Sequence, residues 1–199
     1  MLDTHGRKYL DKYFDKTSEF LINFKLTPTQ VTVIALVTGV LASIIYYFDN
    51  TLWAIILLWL SGFLDAVDGA MARKLKAITK TGTLLDICFD RIVELAFIIV
   101  FALKHQDSTF ALLCLTCSIV LSMSVFLTSG MLLENKGKKS FHYQAGLMER
   151  TEGFLMFTIM MILNTFMREI AFIYAGLVLF TAIQRLIEAT KALEDINEK

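Results

Sequence analysis

Asp65-Ala66-Val67-Asp68-Gly69-Ala70-Met71-Ala72-Arg73, then eight residues, then Gly82-Thr83-Leu84-Leu85-Asp86-Ile87-Cys88-Phe89-Asp90: this stretch decides how the chain is read. Both halves lie in or against apolar segments. Read as helices, the first two aspartates are spaced i, i+3 and the second two i, i+4. Each pair therefore sets two carboxylates on one helical face, about one turn apart. A carboxylate at the centre of a bilayer helix costs about 2.5–3.5 kcal/mol on insertion scales, so four would cost roughly 10–14 kcal/mol uncompensated. The compensation best suited to four converging acidic groups is a pair of hard divalent cations. The pattern alone points to a membrane enzyme that handles phosphate.

The rest of the chain supplies the membrane. Of 199 residues, 56% are hydrophobic, the mean hydropathy is +0.60 and Pro28 is the single proline. Soluble domains run at roughly 45–50% apolar. The excess is gathered into about six long runs, near 30–48, 52–72, 83–103, 109–133, 152–166 and 169–188. Each approaches the roughly 20 residues that span a hydrocarbon core, the fifth being the shortest. The expected fold is all-α and integral to the membrane, with six transmembrane helices. In residues 1–28, Leu10, Phe14 and Leu21 recur at helical spacing with Tyr9, Tyr13, Phe20 and Phe24 among charged residues. That pattern predicts an amphipathic helix in the interface, leading into the membrane domain at 29–190 and a short tail at 191–199.

Net charge is zero, yet the basic residues are segregated. Lysines and arginines crowd the N-terminal segment, the loop after the second run and the loop after the fourth. Only Lys104 and Arg168 fall on the other side. The positive-inside rule then places both termini and the aspartates at the cytoplasmic face, and the membrane expected is the cell membrane. Cys88, Cys114 and Cys117 lie in apolar runs and are expected to pack rather than react. No nucleic-acid partner is expected.

A short basic loop between the second and third runs makes those helices antiparallel neighbours. All four carboxylates then fall at similar depth, roughly 6–12 Å below the boundary. Small residues Gly69, Ala70, Ala72 and Gly82 leave space beside them for something bulky. Other readings exist for the single parts. The acids could relay protons or cations in a transporter, Asp65 or Asp68 could pair with Arg73 or Arg91, and Gly69 and Gly82 could serve helix packing alone. None accounts for the complete spacing.

The string Asp65-x2-Asp68-Gly69-x2-Ala72-Arg73-x8-Gly82-x3-Asp86-x3-Asp90 resembles the signature of the CDP-alcohol phosphotransferases, with every position filled. The resemblance implies transfer of a phosphatidyl or equivalent phosphoalcohol group from CDP-diacylglycerol or a similar CDP-linked lipid to an alcohol hydroxyl, with release of CMP. It also implies two divalent ions, Mg²⁺ or Mn²⁺, on Asp65, Asp68, Asp86 and Asp90, with Asp90 as general base. Asp65, Asp68, Gly69, Ala72, Arg73 and Gly82 would meet the nucleotide, and Thr32 could face it from the first span. The family commonly has Asn after the proline at the start of that span; here the residue is Thr29, so no amide contact carries over. A homodimer is implied as well. For the acceptor, the leading expectation is a polyol phosphate such as inositol phosphate or glycerol phosphate. Lys136, Lys138, Lys139, Arg150 and Arg185 would gather around its phosphate, although positive-inside topology alone also asks for basic residues there.

Overall fold

The computed structural model describes residues 2–134 and 147–197. They form seven α-helices: α1 (Leu2–Asn23), α2 (Pro28–Tyr47), α3 (Thr51–Lys74), α4 (Lys80–Lys104), α5 (Thr109–Glu134), α6 (Arg150–Ile162) and α7 (Met167–Asn197). One-turn 3₁₀ segments precede α5 and α7, and no strand occurs among the described residues. The fold is all-helical, as the apolar periodicity requires.

Local chemistry sets the helix ends. Thr27 caps α2 reciprocally with Gln30: its hydroxyl accepts from the Gln30 amide at 3.3 Å while the Gln30 side-chain carbonyl accepts from the Thr27 amide at 2.9 Å. Pro28 occupies the first turn, where its missing N–H costs nothing. At the other ends, Lys25, Asp49 and Lys76 adopt left-handed backbone, with φ of 61°, 63° and 52°. Each closes its helix by a paired bond typical of a Schellman stop; for α3 these run from Lys76 N–H to Arg73 C=O and from Ala77 N–H to Ala72 C=O. The stop fixes where Arg73 leaves the helix, beside the aspartates.

Four helical segments are long and apolar enough to cross a membrane: Pro28–Tyr47, Thr51–Lys74, Gln106–Leu133 and Asn164–Asp195. The chain is an integral membrane protein. Of the two remaining expected spans, α4 has the length, 25 residues, but Asp86, Asp90, Arg91 and Glu94 interrupt its apolar run. Helix α6 has only 13 residues.

Helices α2, α3 and α4 approach through small residues. A Cβ at Gly39 would meet Val93 at 2.7 Å and Ser61 Oγ at 2.8 Å, and the Ser61 hydroxyl donates to Ala35 C=O at 2.7 Å. Beyond the aspartates an aromatic cluster fills the bundle: Phe97 stacks on Phe157 at 5.6 Å, Phe101 lies 5.9 Å from Phe157, and Tyr46 and Tyr174 close the sides. Helix α1 docks against α3 by the Phe14–Phe63 ring contact at 5.4 Å and by Lys74, whose ammonium donates to Glu19 Oε1 at 2.8 Å and to Asp15 C=O at 2.9 Å. Its Tyr13 and Phe20, with Phe24 just past its end, remain exposed.

Candidate active site

The signature aspartates converge. Asp65, Asp68 and Asp86 each offer a carboxylate oxygen, and these three atoms lie within 4.8 Å of one another. Asp68 is buried, and its Oδ2 has no hydrogen-bond partner. Burying a bare acceptor costs free energy that a hard cation would return. The donor set, three carboxylates on two rigid helices, fits a divalent ion. Asp90 stands one turn beyond Asp86 and is held otherwise: Arg150 Nη2 lies 2.6 Å from Asp90 Oδ1, and Arg150 Nη1 bonds Asp65 Oδ2. One guanidinium from α6 thus straps α3 to α4 across the site.

Two cavities meet at the carboxylates. The smaller, about 240 Å³, is bounded by the start of α2, the end of α3 and the start of α4, and it is lined by Thr32, Asp68, Gly69, Ala72, Arg73 and Gly82. Every position expected to meet a nucleotide, save Asp65, borders this space. Thr79 shapes its rim by capping α4, its hydroxyl accepting from the Gly82 amide at 3.0 Å. The larger cavity, about 920 Å³, opens on the other side and holds Asp65, Asp90, Arg150 and Arg185. Asp68, Gly69, Arg73 and Asp86 border both.

The glycines separate packing from access. A Cβ at Gly62 would meet the Phe154 ring at 2.5 Å, and one at Gly153 would meet the Tyr174 hydroxyl at 2.7 Å. At Gly69 it would touch only the tip of Arg73, at 3.4 Å. Among the described residues Gly69 therefore answers no packing need, and its bare backbone faces a cavity that a ligand can fill.

Arg150 and Arg185 both line the large cavity; Arg185 is buried, its guanidinium 5.2 Å from the Phe126 ring. Lys136, Lys138 and Lys139 lie outside the described residues. The alternative ion pairs for the aspartates do not form as Arg91 contacts, because Arg91 pairs with Glu94 instead. Sequence reasoning passed over three groups of the cavity wall: Glu94, Glu149 and Tyr174. Glu94 carried a signal, since it continues the Asp86–Asp90 spacing by four residues. The cysteines are free thiols, but Cys88 and Cys117 are exposed rather than packed and Cys114 is half-buried.

An all-helical membrane bundle with a carboxylate cluster at two cavities is a membrane protein with a candidate divalent-metal site. The chain belongs to the CDP-alcohol phosphatidyltransferase family, whose profile matches residues 25–184. It is 32% identical to the archaetidylinositol phosphate synthase of Pyrococcus horikoshii, over 90% of this chain and 92% of that protein. It is 29% identical to the phosphatidylinositol phosphate synthase of Corynebacterium glutamicum, over 96% of this chain and 90% of that one. Among solved structures it resembles the Mycobacterium tuberculosis phosphatidylinositol phosphate synthase with CDP-DAG bound. The TM-score is 0.70 at 22% identity, covering 89% of this chain and 94% of that one. The same enzyme in complex with manganese and citrate gives 0.69 at 21%, covering 88% of each chain. The protein is a CDP-alcohol phosphatidyltransferase.

Proposed function

We propose that the enzyme transfers a phosphatidyl group from CDP-diacylglycerol, or a similar CDP-linked lipid, to a hydroxyl of a polyol phosphate, inositol phosphate first, and releases CMP. The observation that carries this reading is the meeting of two cavities at Asp68 and Asp86, with Asp65 beside them on the wall of the larger one. The small one suits the nucleotide, with Gly69, Ala72 and Gly82 admitting it and Arg73 and Thr32 at its edge. The large one suits acceptor and lipid. The relatives, named as synthases of inositol phosphate lipids, favour that acceptor. Arg150 and Arg185 supply the cationic groups its phosphate requires.

Asp65, Asp68 and Asp86 would hold two divalent ions, Mg²⁺ or Mn²⁺, with Asp90 completing the set. When bound, the ions neutralise the diphosphate and stabilise charge on the attacked phosphorus and the leaving CMP. Asp90 takes the proton of the attacking hydroxyl, and Arg150 fixes its carboxylate in position meanwhile. The six helices α2–α7 cross the bilayer as a membrane domain at 29–190, with both termini and the site on the cytoplasmic side of the cell membrane. Helix α1 lies in the interface with Tyr13 and Phe20 turned toward lipid, and the protein works as a homodimer. The nucleotide and acceptor then arrive from water while the acyl chains stay in lipid.

The test is CMP release from CDP-diacylglycerol by purified protein with Mg²⁺ or Mn²⁺. The acceptors are inositol phosphate, glycerol phosphate, free inositol and serine. Metal-dependent release stimulated by inositol phosphate is the expected result. Stimulation by another alcohol reassigns the acceptor. Absence of nucleotide binding, with cation or proton flux in vesicles, would replace the reading by a transporter whose aspartates act as a relay.

A further inference from the structure

Helix α4 continues its polar face past the signature. Asp86, Asp90 and Glu94 stand at i, i+4 and i+8, so Glu94 lies about 6 Å beyond Asp90 on the same side. Arg91 bonds Glu94 there, and both line the large cavity. Taking such a pair out of water costs several kcal/mol per ion, and apolar residues of similar size would pack α4 equally well. Stability is therefore a weak reason for it. The pair also keeps spare bonding capacity. Arg91 Nε is buried without a hydrogen-bond partner, and a carboxylate has about four acceptor sites. Tyr174 of α7 lines the same cavity, its hydroxyl admitted because residue 153 has no side chain.

We propose that Arg91, Glu94 and the Tyr174 hydroxyl form a polyol-reading wall that hydrogen-bonds acceptor hydroxyls other than the one that reacts. The inference rests on the polyol acceptor proposed above and assigns the groups that distinguish it from a simple alcohol. A hydroxyl both donates and accepts. Neighbouring hydroxyls can thus pair with a carboxylate, which accepts only, and a guanidinium, which donates only. The other possible occupants fit poorly. Acyl chains gain nothing from these groups, and the Glu94 carboxylate repels phosphate. One helical turn separates Glu94 from Asp90, the width of a small polyol, so one hydroxyl meets Asp90 while others face Arg91 and Glu94.

The experiment uses the full-length protein with inositol phosphate and its set of mono-deoxy analogues. Glu94→Gln keeps the size and removes the charge; Tyr174→Phe removes one hydroxyl. With the parent acceptor, Glu94→Gln is expected to lower kcat/KM about 10- to 100-fold, the worth of a hydrogen bond to a charged group. With the one analogue lacking the hydroxyl that Glu94 reads, the variant and the wild type become nearly equal, and the KM for the CDP-lipid is unchanged. The same fold loss on every acceptor, or a lowered melting temperature alone, overturns the proposal. If the wild type releases no CMP with any polyol phosphate, the parent reading fails. Titration of inositol phosphate onto both proteins then decides the wall: weaker binding by Glu94→Gln sustains it, and equal binding overturns it.

Discussion

The two halves of α4 follow the same helical face and do opposite things with it. Asp86, Asp90 and Glu94 turn it toward cavities, with Arg91 Nε buried there without a partner, whereas Phe97 and Phe101 turn it into a sealed aromatic cluster with Phe157 and Tyr46. The first bears charge that Arg150 and Arg91 offset only in part. The second is finished without a ligand. What this teaches is where substitutions should be felt: activity without stability in one half, stability without chemistry in the other.

The largest effect should come from Asp86→Asn. Metal-assisted charge stabilisation is worth several kcal/mol, so CMP release should fall on the order of 10³-fold or more. Thermal stability in metal-free detergent should hold or rise, because the variant buries one charge less. The wild type, and not the variant, should then gain stability on adding Mn²⁺. A variant that keeps its turnover would separate Asp86 from the reaction. Phe157→Ala tests the other half. In a water-soluble core the loss would be about 3–5 kcal/mol. In a bilayer the ring leaves lipid rather than water, so mainly the cavity and contact loss remains, roughly 2–3 kcal/mol. Unfolding in mixed micelles measures it, with turnover per folded molecule expected near the wild-type value.

The glycines sharpen the same contrast at smaller cost. Gly39→Ala forces a methyl group against Val93 and Ser61, and overpacking of that kind costs about 1–3 kcal/mol. Gly69→Ala meets only the mobile end of Arg73, so the fold should be unaffected while CDP affinity drops measurably by calorimetry. Unchanged CDP affinity in that variant would leave Gly69 without a ligand to explain it.

The signature was legible because its information is local: a spacing on two helices names the face and the turn without any tertiary knowledge. Helix existence was legible for the same reason, with apolar runs bounded by Pro28 and by polar turns. Two things were not. Arg150 is 85 positions from Asp65, and only the docking of α6 against α3 brings them together. Its strap across Asp65 and Asp90 leaves no mark in the sequence. Span counting also met its limit where it mattered most. Helix α4 falls short of the apolar criterion because of the same acids that make it functional, so hydropathy is least informative at the site. Glu94 was readable as a continuation of the aspartate ladder, and it went unread because a signature directs attention to its own positions.

Helix α1 gives the smallest effect and a test of what keeps the site covered. Lys74, one residue past Arg73, holds α1 by Glu19, and that bond and charge keep the Glu19 carboxyl below its ordinary range. A lowered folded-state value means the clamp contributes fully above the ordinary glutamate range and is lost as pH falls through the lowered one. Because the pair is exposed, salt should weaken it too. The protection of α1 amides, corrected for the intrinsic pH dependence of exchange, should therefore fall modestly on acidification or added salt, and in Lys74→Ala it should be lowered already and no longer respond to pH in that window. If Lys74→Ala leaves exchange unchanged, the Phe14–Phe63 contact and the apolar packing of Leu21 and Ile22 hold α1 alone. The cover of the large cavity would then belong to the finished, ligand-independent part of the molecule.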